Sequence, residues 1–498
     1  MAFGKVLSAC IDGMQVHLVQ VEVDISNGLP LFEIIGCLSS EVKEATKRVR
    51  TALRNTGIYM PAKHVVANLS PGTIRKRGSS FDLPVAIGIL QAMEQVKKEE
   101  KTLYAGELSL DGKVNGIPGI LSIVMEGKKK GIKKYVIPSE NYREAALVKG
   151  VEIVPVEFLS EIIMENTPRL KTGRERKIKG NTRKSTVDFG EIKGQEGAKR
   201  AMEIAVSGGH NILMIGPPGS GKTLISRGVP GILPPMNQEE MLEVTKIYSL
   251  AKLINPMAPL IQERPFRKVH HNVTKAGLIG GGMTPSPGEI TLSHKGVLFL
   301  DELSEFKRGV LEALREPMDD RSISILRRQT VYHFPAEFIL VGACNPCPCG
   351  YYPDVERCSC NAYEREQYQA RISKPLLDRI DLCIETPKIT FEEIQSEKQA
   401  ESSKDIQERV VKTRKIQERR FEKENIGVNG EMNISQIKKY INLQPEDKPL
   451  MEKAFLRLGL TARSYHKVLK VARTIADMEG QKEVESRHLK EALGYRIR

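Results

Sequence analysis

The chain has 498 residues, 40% of them hydrophobic, and its 76 lysines and arginines outnumber its 62 acidic residues to give a formal net charge of +14. This composition excludes fibrous and disordered proteins, and the length predicts roughly two to four domains. No apolar run reaches the ~18 residues of a membrane span and no signal peptide is evident, so a cytoplasmic protein without a membrane partner is expected. The basic excess favours an anionic partner, although a generic basic surface would carry the same charge.

Residues 1–165 alternate strand and helix patterns, which predicts a mixed α/β domain. Alternation of apolar and polar residues over 19–25 is typical of a half-buried strand. Helices are predicted over 40–53 and 83–96, and a further strand over 65–69.

Residues 166–186 are dense in lysine and arginine and almost without large apolar side chains. Such a segment cannot bury a core, so it is predicted to be an exposed linker. It either contacts a nucleic-acid backbone or is simply a solvated connection.

Residues 187–390 again alternate strand and helix signals, which predicts a doubly wound core. The remainder, 391–498, is charged and helical, with a long Glu/Lys/Arg-rich stretch over 392–423. The amphipathic segment 464–479 is typical of a helix in a packed helical lid.

The most informative motif lies at 216–223, directly after the apolar run 211–215. Glycines let backbone N–H groups turn inward toward phosphates, and a following helix adds its positive dipole end. Lys222 would reach the β- and γ-phosphates, and Thr223 would hold Mg²⁺. The residues of this predicted nucleoside-triphosphate loop, the P-loop, are Gly216, Pro217, Pro218, Gly219, Ser220, Gly221, Lys222 and Thr223.

Two carboxylates, Asp301 and Glu302, follow the apolar strand predicted over 297–300. Open α/β sheets bind ligands at the carboxyl ends of their strands. We therefore expect Asp301 to hold Mg²⁺ through its water shell and Glu302 to polarise the attacking water as general base. Acidic pairs after apolar strands are common, so this interpretation depends on the P-loop upstream.

Three further polar residues are candidates for the same site. Asn345 follows a strand predicted over 338–343 and would orient the lytic water or sense the γ-phosphate; alternatively it caps a turn before Pro346. Arg379 would meet the charge that develops on a phosphoryl group bound by a neighbouring subunit, or else form an ordinary surface ion pair. Arg463 begins the last amphipathic helix and could reach the nucleotide from the lid.

Five of the eight cysteines fall between 344 and 360, which is not the spread of a disulfide framework. Two Cys-x-Cys pairs separated by a short loop could place four thiolates around Zn²⁺. The alternative is a loop with small, reduced, apolar cysteines. The candidate ligands are Cys347, Cys349, Cys358 and Cys360.

Three longer stretches carry a family resemblance: GGGMTPSPGEITLSHKG at 280–296, CNPCPCG at 344–350 and PLLDRID at 375–381. They resemble magnesium-chelatase-like AAA+ ATPases, and the last two resemble the ComM/YifB family of bacteria, which is associated with DNA branch migration in natural transformation. The resemblance covers essentially the whole chain. It implies that Asn345 is sensor 1, Arg379 the arginine finger and Arg463 sensor 2.

The same resemblance implies two inserts that face the central pore of a ring, one at 280–296 and one at 322–334. The second is patterned like a hairpin around Arg327 and Arg328. These arginines are candidate DNA-phosphate contacts, although an ordinary solvated hairpin would show the same pattern.

Residues 1–165 resemble the domain shared by Lon proteases and RadA, which has the ribosomal S5 domain 2-like fold. The resemblance lies in GSSFDLP at 78–84 and GELSLDGKV at 106–114. Ser80 falls near the serine of the Lon Ser–Lys dyad, but Leu121 stands at the lysine position. Without that base the hydroxyl has no activation, so no peptidase activity is expected.

The expected protein is therefore α/β: a P-loop AAA+ core with a helical lid, preceded by a Lon/RadA-like domain. The expected activity is that of an ATP- and Mg²⁺-dependent ring motor, hexameric, acting on single-stranded or branched DNA as a helicase in branch migration. Alternatives are a chelatase-type motor, against which residues 1–165 argue because chelatase motors lack that domain, and a protein remodeller. A nucleotide-gated scaffold is a third, disfavoured by an intact Glu302.

Overall fold

The computed structural model describes residues 2–164, 170–171, 187–282, 285–327, 330–395 and 400–496. Within them, the strands are β1 (Ala2–Asp12), β2 (Gln15–Ser26), β3 (Leu31–Ile35), β4 (His64–Ser70), β5 (Thr102–Tyr104), β6 (Glu107–Leu108), β7 (Val114–Asn115), β8 (Lys134–Pro138), β9 (Glu152–Val156), β10 (Leu170–Lys171), β11 (Ile212–Ile215), β12 (Phe266–Val269), β13 (Gly280–Gly281), β14 (Ser286–Pro287), β15 (Gly296–Leu300), β16 (Ser322–Arg327), β17 (Thr330–Pro335), β18 (Phe338–Cys344) and β19 (Leu382–Glu385).

The helices of the same residues are α1 (Ser40–Asn55), α2 (Asp82–Ala92), α3 (Ile120–Lys129), α4 (Tyr142–Ala145), α5 (Leu159–Ile163), α6 (Glu196–Gly208), α7 (Lys222–Gly228), α8 (Gln238–Leu250), α9 (Lys275–Ile279), α10 (Glu289–Leu292), α11 (Arg308–Glu312), α12 (Arg315–Asp320), α13 (Ala362–Gln369), α14 (Lys374–Leu377), α15 (Phe391–Gln395), α16 (Ser403–Arg420), α17 (Ile434–Tyr440), α18 (Asp447–Arg457), α19 (Ala462–Met478) and α20 (Ser486–Gly494). None of these described helices combines the length and apolar character needed to cross a membrane.

The described residues form two compact units. The first contains the N-terminal residues and, unexpectedly from sequence, the segment 238–262, which carries α8. Its mixed sheet has the strand order β10-β9-β8-β5-β1-β2-β4-β3. The inserted segment is hydrogen-bonded to this unit, since the N–H of Gly119 donates to Ser249 Oγ at 2.9 Å.

The second unit is built on a parallel sheet with the order β12-β15-β18-β11-β19. Strand β11 pairs in parallel with β18 on one side and with β19 on the other. The chain order therefore reverses at β11, and such a switch point opens a crevice outside the carboxyl ends of the strands. Residues placed at the end of β11 and of its neighbours consequently line one cleft.

The C-terminal helices pack on this sheet rather than forming a core of their own. A single apolar cluster joins Ile212 and Val341 of the sheet to Val410 of α16 and Val471 and Ile475 of α19. Burial of this cluster is the main favourable contribution to folding of the second unit.

Most of the predicted elements are confirmed. The strands expected over 19–25 and 65–69 are β2 and β4, and the helices expected over 40–53 and 464–479 are α1 and α19. Helix α2 ends at Ala92, earlier than the predicted 96, because Glu94 takes a left-handed φ of +60° that ends the helix. Apart from 170–171, the predicted linker at 166–186 lies outside the described residues.

Candidate nucleotide-binding site

The P-loop lies at the carboxyl end of β11 and leads directly into α7. Gly219 and Gly221 have φ angles of +77° and +88°, a backbone conformation that residues with a Cβ rarely adopt. Pro218 and Gly219 are exposed, and a Cβ built on Gly219 meets nothing within 4 Å. The loop is thus open at its tip rather than folded against its own core.

Lys222 is buried under this loop. Its Nζ donates to the carbonyl oxygens of Gly216 at 2.6 Å and Pro217 at 2.8 Å, and lies 3.4 Å from Asn345 Oδ1. Burial lowers the pKa of Lys222, since the charged amine loses hydration. The fold thus brings the predicted phosphate-binding lysine together with Asn345 at the end of β18.

Thr223 and Asp301 also meet, although they come from different elements. The Thr223 hydroxyl donates to Asp301 Oδ2 at 3.1 Å, and Lys268 Nζ lies 3.1 Å from the same oxygen. Sequence reasoning missed Lys268: it is next to last in β12, and only the pairing of β12 with β15 brings it to Asp301.

Glu302, the predicted general base, has an unusual backbone conformation. Its φ of +53° is left-handed, which costs a non-glycine residue about 1–2 kcal/mol. Such strain is often kept at functional sites, where it aims a side chain. The carboxylate is exposed and lies 3.5 Å from His271 Nδ1, a neighbour that sequence analysis did not single out.

Gln195 supports the P-loop from below and was also missed. Its Nε2 donates to the carbonyl oxygens of Ser220 at 3.0 Å and Pro387 at 2.6 Å. Ser220 Oγ in turn lies 3.1 Å from Thr386 Oγ1. These bonds tie the P-loop to the residues that follow β19.

The structure does not bring Arg379 and Arg463 to the P-loop of their own chain. The partners described for both arginines lie elsewhere, and both side chains pair with Asp319 of α12. Arg379 Nε donates to the carbonyl oxygen of Arg315 at 3.1 Å, and Nη1 to that of Pro375 at 2.7 Å. Asp319 was not predicted, and no sequence pattern marks it.

A buried ionic network lies at the start of β11. Asp381 accepts from the N–H of Asn211 at 3.0 Å and from Lys467 Nζ at 2.9 Å. Burial raises the pKa of Asp381, but the attraction of Lys467 and the hydrogen bond from the N–H of Asn211 outweigh this and lower it to about 2.

His210 belongs to the same network and is fully buried. Its Nε2 lies 2.8 Å from Thr474 Oγ1. Burial lowers the pKa of His210 to about 4; Asp381 opposes this shift, and the cations of Lys470, Lys467 and Arg414 add to it. The imidazole is therefore neutral at physiological pH.

The four candidate zinc ligands form one cluster in which all Sγ atoms lie within 4.8 Å of one another. The Sγ atom of Cys347 lies 3.4 Å from that of Cys349 and 3.8 Å from that of Cys358, and the last two are 3.6 Å apart. No disulfide links them or Cys360. The loop that carries them follows Asn345 directly.

The predicted hairpin at 322–334 is confirmed as β16 and β17. Leu326 and Val331 pair across it and are both exposed, and Arg327 is exposed beside them. Arg328 lies outside the described residues. In the other predicted insert, 280–296, the structure describes the short pair β13–β14 and α10, while 283–284 are likewise outside the description.

Known proteins match this chain along its whole length. Family profiles described as "Magnesium chelatase, subunit ChlI", "Subunit ChlI of Mg-chelatase" and "Magnesium chelatase, subunit ChlI C-terminal" match residues 188–394, 21–141 and 400–496. The Competence protein ComM of Haemophilus influenzae is 38% identical over 505 residues, which cover 100% of this chain and 98% of that protein.

The chain belongs to the ComM/YifB family of magnesium-chelatase-like proteins. The YifB protein of Escherichia coli is also 38% identical, over 488 residues that cover 97% of this chain and 95% of that protein. Lon protease 2 of Bacillus subtilis is 29% identical over 166 residues, 30% of each chain. The family is one of AAA+ ATPases, which implies ATP and Mg²⁺ as ligands.

The N-terminal residues do not exclude a chelatase-type motor, contrary to the expectation from the sequence. Residues 1–165 were expected to argue against a chelatase-type motor, on the premise that such motors lack this domain. A profile described as a chelatase subunit nevertheless matches residues 21–141. The N-terminal unit therefore does not separate the two kinds of motor.

Proposed function

We propose that the chain is an ATP-driven DNA motor that assembles as a cytoplasmic ring, expected to be a hexamer, and acts as a helicase in branch migration during recombination or natural transformation. The observation that supports ATP hydrolysis best is the convergence of Lys222, Thr223, Asp301 and Asn345 on the switch point of a parallel sheet. ATP is the substrate of the reaction, and each of these residues has a separate role in binding or hydrolysing it.

Lys222 binds the β- and γ-phosphates, and the open P-loop supplies backbone N–H groups around them. Thr223 and Asp301 hold Mg²⁺; a hydroxyl and a carboxylate 3.1 Å apart are hard oxygen donors of the kind that this ion prefers. Bound Mg²⁺ neutralises charge on the transferred phosphoryl group. Glu302 takes the proton of the attacking water, and Asn345 orients that water beside the γ-phosphate.

Arg379 and Arg463 act on the nucleotide of a neighbouring subunit. This proposal is supported by their described position, where both pair with Asp319 and neither has a described bond to the P-loop of its own chain. An arginine supplied in trans stabilises charge in the transition state and can raise kcat by about 10³–10⁵. Hydrolysis then depends on assembly.

DNA is the partner that the charge distribution favours. The net charge is +14 and the linker at 166–186 is basic. The β16–β17 hairpin presents Arg327 next to exposed Leu326, and Arg328 is the next residue in the sequence. Arginines position phosphates without reading sequence, as a motor on any DNA requires. Movement of this hairpin would carry the strand through the ring.

The test is ATPase activity with single-stranded, duplex and forked DNA at several salt concentrations. Stimulation by forked or single-stranded DNA that weakens with salt supports the proposal. Stimulation by unfolded protein alone would identify a remodeller. Dependence of ATP hydrolysis on a metal-insertion reaction, with none on DNA, would identify a chelatase-type motor, which the chelatase profiles keep as the second candidate.

The Glu302→Gln variant tests the catalytic assignment. It should bind ATP normally and lose turnover by at least about 100-fold, since a positioned base contributes roughly 10²–10⁴. Glu305→Gln is the matched control, because Glu305 is an exposed acid of the same loop that pairs only with Arg371 among its described partners. Normal turnover by Glu302→Gln would mean that another group is the base.

We also propose that Cys347, Cys349, Cys358 and Cys360 hold a structural Zn²⁺. A tetrahedral site with Zn–S bonds of about 2.3 Å places its sulfurs about 3.8 Å apart, close to the 3.4–3.8 Å separations among Cys347, Cys349 and Cys358. Protein purified without a histidine tag should contain one zinc per chain, and Cys358→Ser should lose it while Cys37→Ser retains it. Zinc near zero in the unaltered chain would refute the site.

A further inference from the structure

Asp319 holds the two arginines that the proposed mechanism sends to a neighbouring subunit. Its Oδ2 accepts from Arg379 Nη2 and its Oδ1 from Arg463 Nη2. Asp319 lies in α12, Arg379 in the turn after α14 and Arg463 in the first turn of α19. The two arginines follow Asp319 in the sequence by 60 and 144 positions. One carboxylate thus brings two guanidinium groups to one point of the surface.

The two arginines are not held equally. Arg379 is bonded at all three nitrogens, to the carbonyl oxygens of Arg315 and Pro375 and to Asp319, and its side chain is 13% exposed. Arg463 is 44% exposed, and among the described residues its hydrogen bond goes to Asp319. Loss of the carboxylate would therefore free Arg463 and leave Arg379 on its two carbonyl contacts.

Charge explains why a carboxylate is needed here. Two guanidinium groups repel each other at close range, and both remain protonated at any physiological pH. With Asp319 between them, the group keeps a net charge of +1 and presents N–H donors on two sides. Such a group attracts a phosphate, while the side chains have already lost the freedom that binding would otherwise remove.

We propose that Asp319 is a positioning residue for ATP hydrolysis, which gathers Arg379 and Arg463 into one arginine pair that meets the γ-phosphate bound by the adjoining subunit. This inference rests on the proposed function, since it assumes that both arginines act in trans. Asp319 contacts neither ATP nor Mg²⁺ and acts only through the two guanidinium groups.

The first test is steady-state kinetics of Asp319→Asn. Its kcat should fall about tenfold, because a displacement of catalytic groups by about 1 Å can cost up to ~10². ATP affinity should stay within about twofold, since the P-loop is unchanged. Asp320→Asn is the matched control, an exposed acid of the same helix, and should behave as the unaltered chain. Asp319→Glu, which keeps the carboxylate, should recover most of the activity.

A double-variant cycle identifies which arginine depends on Asp319. If the carboxylate acts by holding Arg463, then Asp319→Asn combined with Arg463→Ala should be no slower than Arg463→Ala alone. Multiplied losses in the double variant would show that Asp319 does not act through Arg463 and would overturn the idea that it gathers the two arginines into one pair.

Subunit mixing separates failure of this inference from failure of the proposed function. Glu302→Gln subunits have an inactive site but intact arginines, whereas Arg379→Ala subunits have the opposite defect. Their mixture should regain ATPase activity; if it does not, the trans arrangement itself is wrong.

If that reference mixture does regain activity, Glu302→Gln mixed with Asp319→Asn must regain it too. A mixture of Asp319→Asn with Arg379→Ala must not, because both defects lie on the same face. Lack of recovery in the first mixture, or a kcat for Asp319→Asn equal to that of Asp320→Asn, would overturn the role of Asp319. Fluorescent-nucleotide binding by each variant confirms that it is folded.

Discussion

Replacement of Gly350 by alanine tests whether the cysteine loop braces the P-loop. Gly350 follows Cys349 and has a φ of +85°. A Cβ there would lie 2.6 Å from Pro218 Cδ and 2.9 Å from its Cγ, where ordinary contacts begin at 3.4 Å. The clash can be relieved only if the tip of the P-loop or the cysteine loop moves by about 1 Å.

The substitution should have two effects, a loss of folding stability and a displacement of Pro218. The left-handed backbone alone costs alanine about 1–2 kcal/mol of folding free energy. Gly480→Ala is the matched control: its φ is +71°, but a Cβ there meets nothing within 4 Å. Both variants should therefore lose this backbone contribution to stability, whereas only Gly350→Ala should also displace Pro218 and lose the further stability that the clash costs.

The assay is ATP binding by a fluorescent analogue, together with kcat/KM and thermal unfolding of both variants. We expect Gly350→Ala to weaken ATP binding by about tenfold, within the ~10² that a displacement of 1 Å can cost. Gly480→Ala should bind ATP as the unaltered chain does. Equal ATP affinity in the two variants would refute the idea that the cysteine loop supports the P-loop.

Three further results are expected. Burial lowers the pKa of His210 to about 4 from an ordinary 6.5, so the unfolded chain binds the extra proton first as pH falls, and folding stability is lost between pH 6.5 and 4. From pH 7.5 to 5 the free energy of unfolding should fall by about 2 kcal/mol from this group. Urea unfolding of His210→Gln should lack that loss. Asp301→Asn should raise the Mg²⁺ concentration needed for half-maximal ATPase activity by at least about tenfold, because it removes a carboxylate ligand, whereas Asp320→Asn should not; an unchanged requirement would remove Asp301 from the metal site. Arg327→Ala should weaken binding to all DNA sequences alike and reduce the slope of log affinity against log salt by about 1, and an unchanged slope would exclude a phosphate contact.

Sequence patterns predicted the local elements of the fold and of the site well because those patterns are themselves local. Alternation over 19–25 gives β2, and the apolar run before Asp301 gives β15. The P-loop could be located because its chemistry depends on a short run of glycines next to Lys222. The roles predicted for Glu302, Arg327 and Arg328 remain predictions.

Residues that contribute through tertiary pairing could not be found in this way. Lys268 reaches Asp301 only because β12 pairs with β15, and Gln195 bonds to Ser220 although 25 positions separate them in sequence. The segment 238–262 follows the P-loop helix in sequence yet belongs to the first unit, since its buried contacts are made there. A hydrophobic pattern says that a face is buried but not against which partner.

The sequence by itself determined that this chain has a glycine-rich loop ending in Lys222 and Thr223, a carboxylate pair after a buried strand and two close pairs of cysteines, because each depends on residues adjacent along the chain. Only the tertiary structure decided that four thiols form one cluster and that Asp319 joins Arg379 to Arg463. The physical reason is the separation along the chain over which each effect acts. Backbone geometry couples neighbouring residues, whereas packing of distant elements brings separated charges and thiols together.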